Sequence, residues 1–113
     1  MKNLLHKIII SPQPAYLGRQ REQHAFAYEI TITNHADQAV RLLNRHWIIT
    51  HGDGQIEQVQ GEGVVGQTPR LQPGESFTYS SGAVIPTRTG SMSGSYEFST
   101  DAGERFRVPI PEF

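Results

Sequence analysis

The sequence predicts an all-β fold, an immunoglobulin-like sandwich of about seven short antiparallel strands. Three observations carry this. Apolar and polar residues alternate at period two in several windows. Turn-forming residues recur about every eight to twelve positions. No window sustains a helical period, because 11 Gly and 7 Pro interrupt each long candidate.

The elements follow in order. Residues 7–11 hold Ile8, Ile9 and Ile10 and read as a first strand, stopped by Pro12 and Pro14. Residues 19–24 are polar and read as a loop. Phe26, Tyr28, Ile30 and Ile32 alternate with Ala27, Glu29, Thr31 and Thr33, so a half-buried strand turns the first set inward. Residues 34–38 form a turn. Residues 40–43 and 45–51 are β-prone around Trp47. The adjacent Leu42 and Leu43 are out of phase with Trp47, and a bulge near Asn44 restores the alternation. Asp53-Gly54 is a hairpin signal, with residues 55–59 pairing back.

Residues 61–68 form a glycine-rich loop that ends at Pro69. Gln72-Pro73-Gly74-Glu75 suits a type II turn, with Pro second and Gly third. Residues 77–80 are a strand, and Val84-Ile85 form another before Pro86. Met92, Tyr96 and Phe98 share one parity, with Gly94 between them. Asp101-Ala102-Gly103 turns the chain, and Phe106, Val108 and Ile110 return as the inward set of the last strand.

Composition bounds the function. The 113 residues suit one domain, residues 1–113. Without cysteine there is no disulfide, thiolate metal site or cysteine nucleophile, and a reducing compartment fits. Lys and Arg number 10 against 11 acids, so no basic excess points to nucleic acid. The apolar stretch Leu4-Leu5, then Ile8 to Ile10, is too short to cross a bilayer. The expected location is the cytoplasm, with no membrane partner.

The candidate site residues gather around a GxGxxG pattern. Gly61, Gly63 and Gly66 provide it, but Gln67-Thr68-Pro69 follows where a dinucleotide fold would begin a helix. Two readings remain. The plain one is a connector between sheets. The sharper one is a nest of backbone amides for a small anion such as pyrophosphate, with Arg45, His46 and Arg70 adding charge and donors. Parity turns Trp47 into the core and His46 out, while Arg45 shares the face of Trp47. His6, His24, His35, His46 and His51 show no HxH or HxxxH spacing, so no metal or other cofactor is expected. Folding should then need no metal, and excess chelator should leave the melting temperature unchanged; a fall of many degrees would reveal a structural ion. No nucleophile elbow or paired base stands beside the serines, so an enzyme is not expected.

Five stretches together carry a resemblance: residues 43–50 (LNRHWIIT), 61–66 (GEGVVG), 71–77 (LQPGESF), 90–96 (GSMSGSY) and 106–111 (FRVPIP). In that order and spacing the chain, from about Phe26 onward, closely resembles the ApaG family. The resemblance implies a fibronectin type III-like sandwich. It also implies a bacterial cytoplasmic protein with genetic links to cobalt resistance and magnesium efflux. Related domains in eukaryotic F-box proteins and in a DNA-polymerase-delta-interacting protein imply a protein-interaction role. The functional expectation is therefore a non-catalytic module with a protein partner. The alternative is a small-anion or nucleotide-phosphate sensor using the glycine loop.

Overall fold

Period-two alternation becomes two facing antiparallel sheets in the computed structural model, which describes residues 7–113. Leu4, Leu5 and His6 lie outside the described residues. The strands are β1 (Ile8–Gln20), β2 (Gln23–Asn34), β3 (Val40–His51), β4 (Ile56–Glu62), β5 (Arg70–Leu71), β6 (Ser76–Ile85), β7 (Gly90–Thr100) and β8 (Arg105–Ile110). One sheet runs β1-β2-β6 and the other β4-β3-β7-β8, with β5 also paired to β3. The eighth strand beyond the expected seven is the two-residue β5.

The inward sets meet as expected. Ile30, Ile32, Val40, Leu42, Tyr96 and Phe98 are fully buried between the sheets. Each such side chain contributes about 1.5–3 kcal/mol relative to exposure. Asn34, His51 and Thr100 are the buried polar side chains among the described residues, and Asn34, the deepest of them, is satisfied. Its Nδ2 donates to the carbonyls of Gln38 and Leu71, both at 3.0 Å, and its Oδ1 accepts from the Ala36 amide at 2.9 Å. The bulge is present, because the β3–β7 register steps from Leu42↔Phe98 to Asn44↔Glu97 and leaves Leu43 extra. The turn before β6 is also as expected: the Glu75 amide donates to the Gln72 carbonyl at 3.0 Å, with Gly74 at φ +86°.

Four boundaries differ. Pro12 and Pro14 do not stop β1, which runs on to Gln20 with Pro12 opposite Ile30 and Pro14 opposite Tyr28. As an edge strand, β1 loses nothing when an outward N–H is missing. Residues 19–24 are not a loop but the tip of the β1–β2 hairpin, with Gln20 opposite Gln23. They are polar because the tip is not covered by the facing sheet. Residues 77–80 and 84–85 belong to one strand, β6, since Ser80, Ser81 and Gly82 all pair with β2. The glycine loop starts later than residue 61, because Gly61 and Glu62 still belong to β4.

Candidate functional site

The glycine loop is best understood from β3. Around its bulge at Leu43, the pairing of β3 on the side away from β7 is interrupted. Strand β4 leaves β3 at Asn44↔Glu62, and the chain returns as β5 at Arg41↔Arg70. The loop between them spans the bulge. The Gly63 amide donates to the Leu43 carbonyl at 2.8 Å, and the Leu42 amide to the Pro69 carbonyl at 3.0 Å. Within the loop, Val64 and Gln67 exchange backbone bonds of 2.8 and 2.9 Å around Val65-Gly66. Both turn residues have positive φ, +43° and +79°, the mark of a type I′ turn.

Each glycine then has its own cause. A Cβ on Gly61 would lie 2.8 Å from Arg45 Nη2 and 2.9 Å from its Cζ. Arg45 and Gly61 are direct cross-strand partners, and the guanidinium lies flat across the missing side chain. A Cβ on Gly63 would lie 2.3 Å from the Gln67 carbonyl oxygen, at φ +63°. Gly66 needs its positive φ but has open space around it.

Arg45 shares the inward parity of Trp47, yet its charge is not stranded. Its Nη1 donates to the Glu62 and Gly63 carbonyls, each at 2.9 Å. His46 turns to the opposite face, with Nε2 at 2.9 Å from Gln58 Oε1. Arg70 stands on β5 opposite Arg41 and forms a bidentate pair with Asp101, through Nε at 3.0 Å from Oδ1 and through a second bond from Nη2 to Oδ2. The hydrogen bond to Arg70 holds the Asp101 carboxyl below its usual range, and the same bond raises the guanidinium. Both groups are at the surface, so the pair adds little stability. The fold therefore brings Arg45, Gly61 and Gly63 together, places His46 on the other face of β3, and engages Arg70 elsewhere.

Three loop amides and both arginines thus have internal partners. Isothermal titration with pyrophosphate should show no saturable binding at millimolar ligand. A salt-sensitive affinity below about a millimolar, near −4 kcal/mol, lost in Arg45→Gln or Arg70→Gln, would instead establish an anion site.

A second feature was not visible from spacing. The outer face of β4-β3-β7-β8 carries a polar concavity of about 400 Å³, lined by Asn44, His46, Glu62, Ser95, Glu97 and Arg107 among others. Cross-strand register assembles it: Asn44 faces Glu62 on one side and Glu97 on the other, and Glu97 faces Arg107. Asn44 Nδ2 donates to Glu97 Oε1 at 2.8 Å, and Arg105 Nη1 lies 3.7 Å from that oxygen. The signs are mixed, so the face suits a hydrogen-bonding partner better than an ion of one charge.

The buried titratable groups are structural in their contacts. The Tyr79 and Tyr96 hydroxyls hydrogen-bond to each other between the sheets. Burial pushes Tyr79 up to about 12 and Tyr96 further in the same direction, so both stay protonated near neutrality. His51 is buried, with Nε2 2.7 Å from Glu57 Oε1. Among the described residues no group of three or more His, Asp or Glu is placed to hold a metal.

The sheet edges differ in their protection. Strand β1 carries Pro12, Pro14 and a bulge between Tyr16 and Gly18. Strand β8 carries Arg105, Arg107 and Pro109. Strand β4 carries Glu57 and Glu62, and Ile56 to Gln60 are all exposed. Strand β6 has neither a charged residue nor a proline in its ten residues. Natural edges are usually blunted by such residues against pairing with another chain.

Comparison with known proteins agrees with the fold and identifies the family. The family model described as the ApaG domain matches residues 15–100. A protein named ApaG from Acidithiobacillus ferrooxidans is 50% identical over 111 residues, covering 95% of this chain and 87% of that one. The ApaG protein of Pseudomonas putida is 47% identical over 117 aligned positions, covering 100% and 93%. A Bordetella pertussis crystal structure titled as an ApaA protein superposes with a TM-score of 0.90 at 43% identity, covering 94% of this chain and 89% of that chain. A Bacteroides uniformis β-glucuronidase aligns over 87% of this chain but only 12% of its own, with a TM-score of 0.54 and 12% identity, which is a likeness of fold alone. With the family pattern covering most of its length and close relatives matching nearly end to end, this chain belongs to the ApaG family.

Proposed function

We propose that the chain is a non-catalytic binding module whose partner is a protein. The partner contributes an extended segment that pairs with the β6 edge. The observation that carries this is the edge itself: among the described residues β6 pairs with β2 alone, and it runs for ten residues without a charge or proline. Main-chain bonds to such an edge supply affinity, and flanking pockets supply specificity. The site of action we propose is the cytoplasm, in keeping with a cysteine-free chain. Among the described residues no helix is long and apolar enough to cross a membrane. The metal phenotypes implied by the family resemblance would follow indirectly, through the partner.

Ser80 and Val84 are both exposed on β6. The double variant Ser80→Lys/Val84→Lys should melt within a few degrees of the native protein, since it alters no core contact. In cross-linked capture from native cytoplasm, the native chain should retain a specific protein that the variant loses. Hydrogen exchange on adding the purified partner should protect β6 amides. Equal retention by both proteins, or protection confined to other strands, overturns the proposal. The anion-sensor reading has no comparable support, because Arg45, Arg70 and three loop amides already have partners within the chain.

A further inference from the structure

The side chains of β6 determine which extended segment its free flank accepts, an inference that rests on the edge-strand reading. Successive residues of a strand point to opposite sides of the sheet. Ser76, Thr78, Ser80, Gly82 and Val84 make the outer row of β6, and all five are exposed. Phe77, Tyr79, Ser81, Ala83 and Ile85 make the inner row. Tyr79 and Ile85 are buried there, Phe77 and Ala83 are half-buried, and Ser81 alone is exposed.

The pairing with β2 shows what packs beside these rows. Tyr28 stands opposite Ser81 and Phe26 opposite Ala83, so β2 is aromatic where the inner row of β6 is small. Ala27, between the two aromatic residues, stands opposite Gly82 in the outer row. Further along that row the contacts are hydroxylic. The Thr31 and Thr78 hydroxyls lie 3.0 Å apart, and those of Thr33 and Ser76 lie 2.8 Å apart. Tyr28 is buried although its partner Ser81 is exposed, so solvent reaches the inner layer at Ser81 from the flank away from β2. Small side chains in one strand leave room for large ones in the next, and interiors fill such room closely.

We propose that the β6 edge selects a protein segment with two large apolar residues, two positions apart, separated by a small residue. The two apolar side chains enter the inner layer beside Ser81 and Ala83, and the residues between and around them extend the small, hydroxylic outer row. Such a segment repeats on the free flank what Phe26-Ala27-Tyr28 supplies on the other. Main-chain bonds to the edge do not depend on sequence, so the specificity lies in this alternation.

Three fluorescein-labelled peptides, titrated into the full chain and followed by anisotropy, test the alternation. They are Lys-Thr-Phe-Thr-Phe-Thr-Lys, its isomer Lys-Thr-Thr-Phe-Phe-Thr-Lys, and the analogue of the first with alanine at both aromatic positions. The alternating aromatic peptide should bind at least about tenfold more tightly than either of the others, the effect of one buried anchor side chain. It should also protect β6 amides from hydrogen exchange. Ser81→Phe should remove the preference for the aromatic peptide over its alanine analogue, because the new ring occupies the place of the anchor. Ser81→Leu serves the same purpose if the ring prevents folding. Equal binding of the alternating peptide and its isomer overturns the inference. So does an unchanged preference in a folded Ser81 variant, or no saturation by the alternating peptide at millimolar concentration. In those cases the edge-strand reading still stands if Ser80→Lys/Val84→Lys loses the protein that the native chain captures. Protection confined to other strands sinks both.

Discussion

Trp47→Ala should cost about 3–5 kcal/mol, while His46→Ala costs less than about 1 kcal/mol. The two residues are adjacent on β3, and pleating alone sends them to opposite faces. Trp47 is 3% exposed and meets three aromatic rings: Tyr28 at 5.5 Å, Phe113 at 5.9 Å and Tyr96 at 6.1 Å. Those rings come from both sheets and from the residues after β8. Truncation would therefore leave a cavity where the sandwich is held together. A domain of this size has only about 5–15 kcal/mol of stability, so the variant retains a small remainder. His46 loses one hydrogen bond, to Gln58, on a wet face where water replaces it. Denaturant titration of the two variants tests this. Equal losses would mean that the faces of β3 are reversed.

Gly94→Ala should be as damaging, at about 3–5 kcal/mol, from a much smaller change. Gly94 sits in the middle of β7, paired with Trp47 on one side and Ile110 on the other. Its φ is +149°, which side-chain-bearing residues rarely adopt, and an added Cβ would lie 1.9 Å from the His46 carbonyl oxygen. That oxygen belongs to the backbone of a central strand and has little freedom to yield. Gly103 is the control. It also has positive φ, +87°, but nothing stands within 4 Å of an added Cβ. Gly103→Ala therefore carries only conformational strain, about 1–2 kcal/mol. Melting curves of the two variants separate clash from strain. A Gly94 variant no worse than the Gly103 variant would show that the sheet can shift to admit a methyl group.

Both predictions rest on features of unequal legibility. The position of Trp47 was readable, because period two makes every second residue on β3 share a face. The bulge was readable for the same reason, since two adjacent leucines break the period. Gly94 was visible only as a gap in the series Met92, Tyr96, Phe98. Its necessity depends on how near the His46 carbonyl passes, which no local pattern encodes.

The prolines in β1 show a different limit. Pro12 and Pro14 end a central strand but are harmless on an edge, and whether a strand is an edge depends on sheet order. The same holds for the serines and glycine of β6. In sequence they resemble a break, yet β2 pairs with each of them.

At the glycine loop the sequence supplied the residues but not their partners. Gly61, Gly63 and Gly66 stood out by spacing, with Arg45, His46 and Arg70 as neighbours of suitable charge. Only the fold shows that Gly61 makes room for Arg45, that Arg45 is bonded to carbonyls, and that Arg70 belongs to Asp101. The polar concavity was hidden entirely, because its members come from four strands and meet through register. An apolar cavity of about 170 Å³ between the sheets, lined by Phe26, Ile49 and Met92 among others, was hidden as well, since it is a volume that the facing side chains leave unfilled.

The sequence by itself therefore determined the fold class, the inward sets of β2, β7 and β8, the side of Trp47 on β3, the bulge, and the turns at residues 72–75 and 101–103. These are local consequences of a two-residue repeat and of which residues tolerate which φ. The tertiary structure alone decided which strands are edges, where each arginine's charge is neutralised and where space remains between the sheets. These depend on contacts between residues far apart in the chain, and such contacts are set by how the sheets pack rather than by any short stretch of sequence.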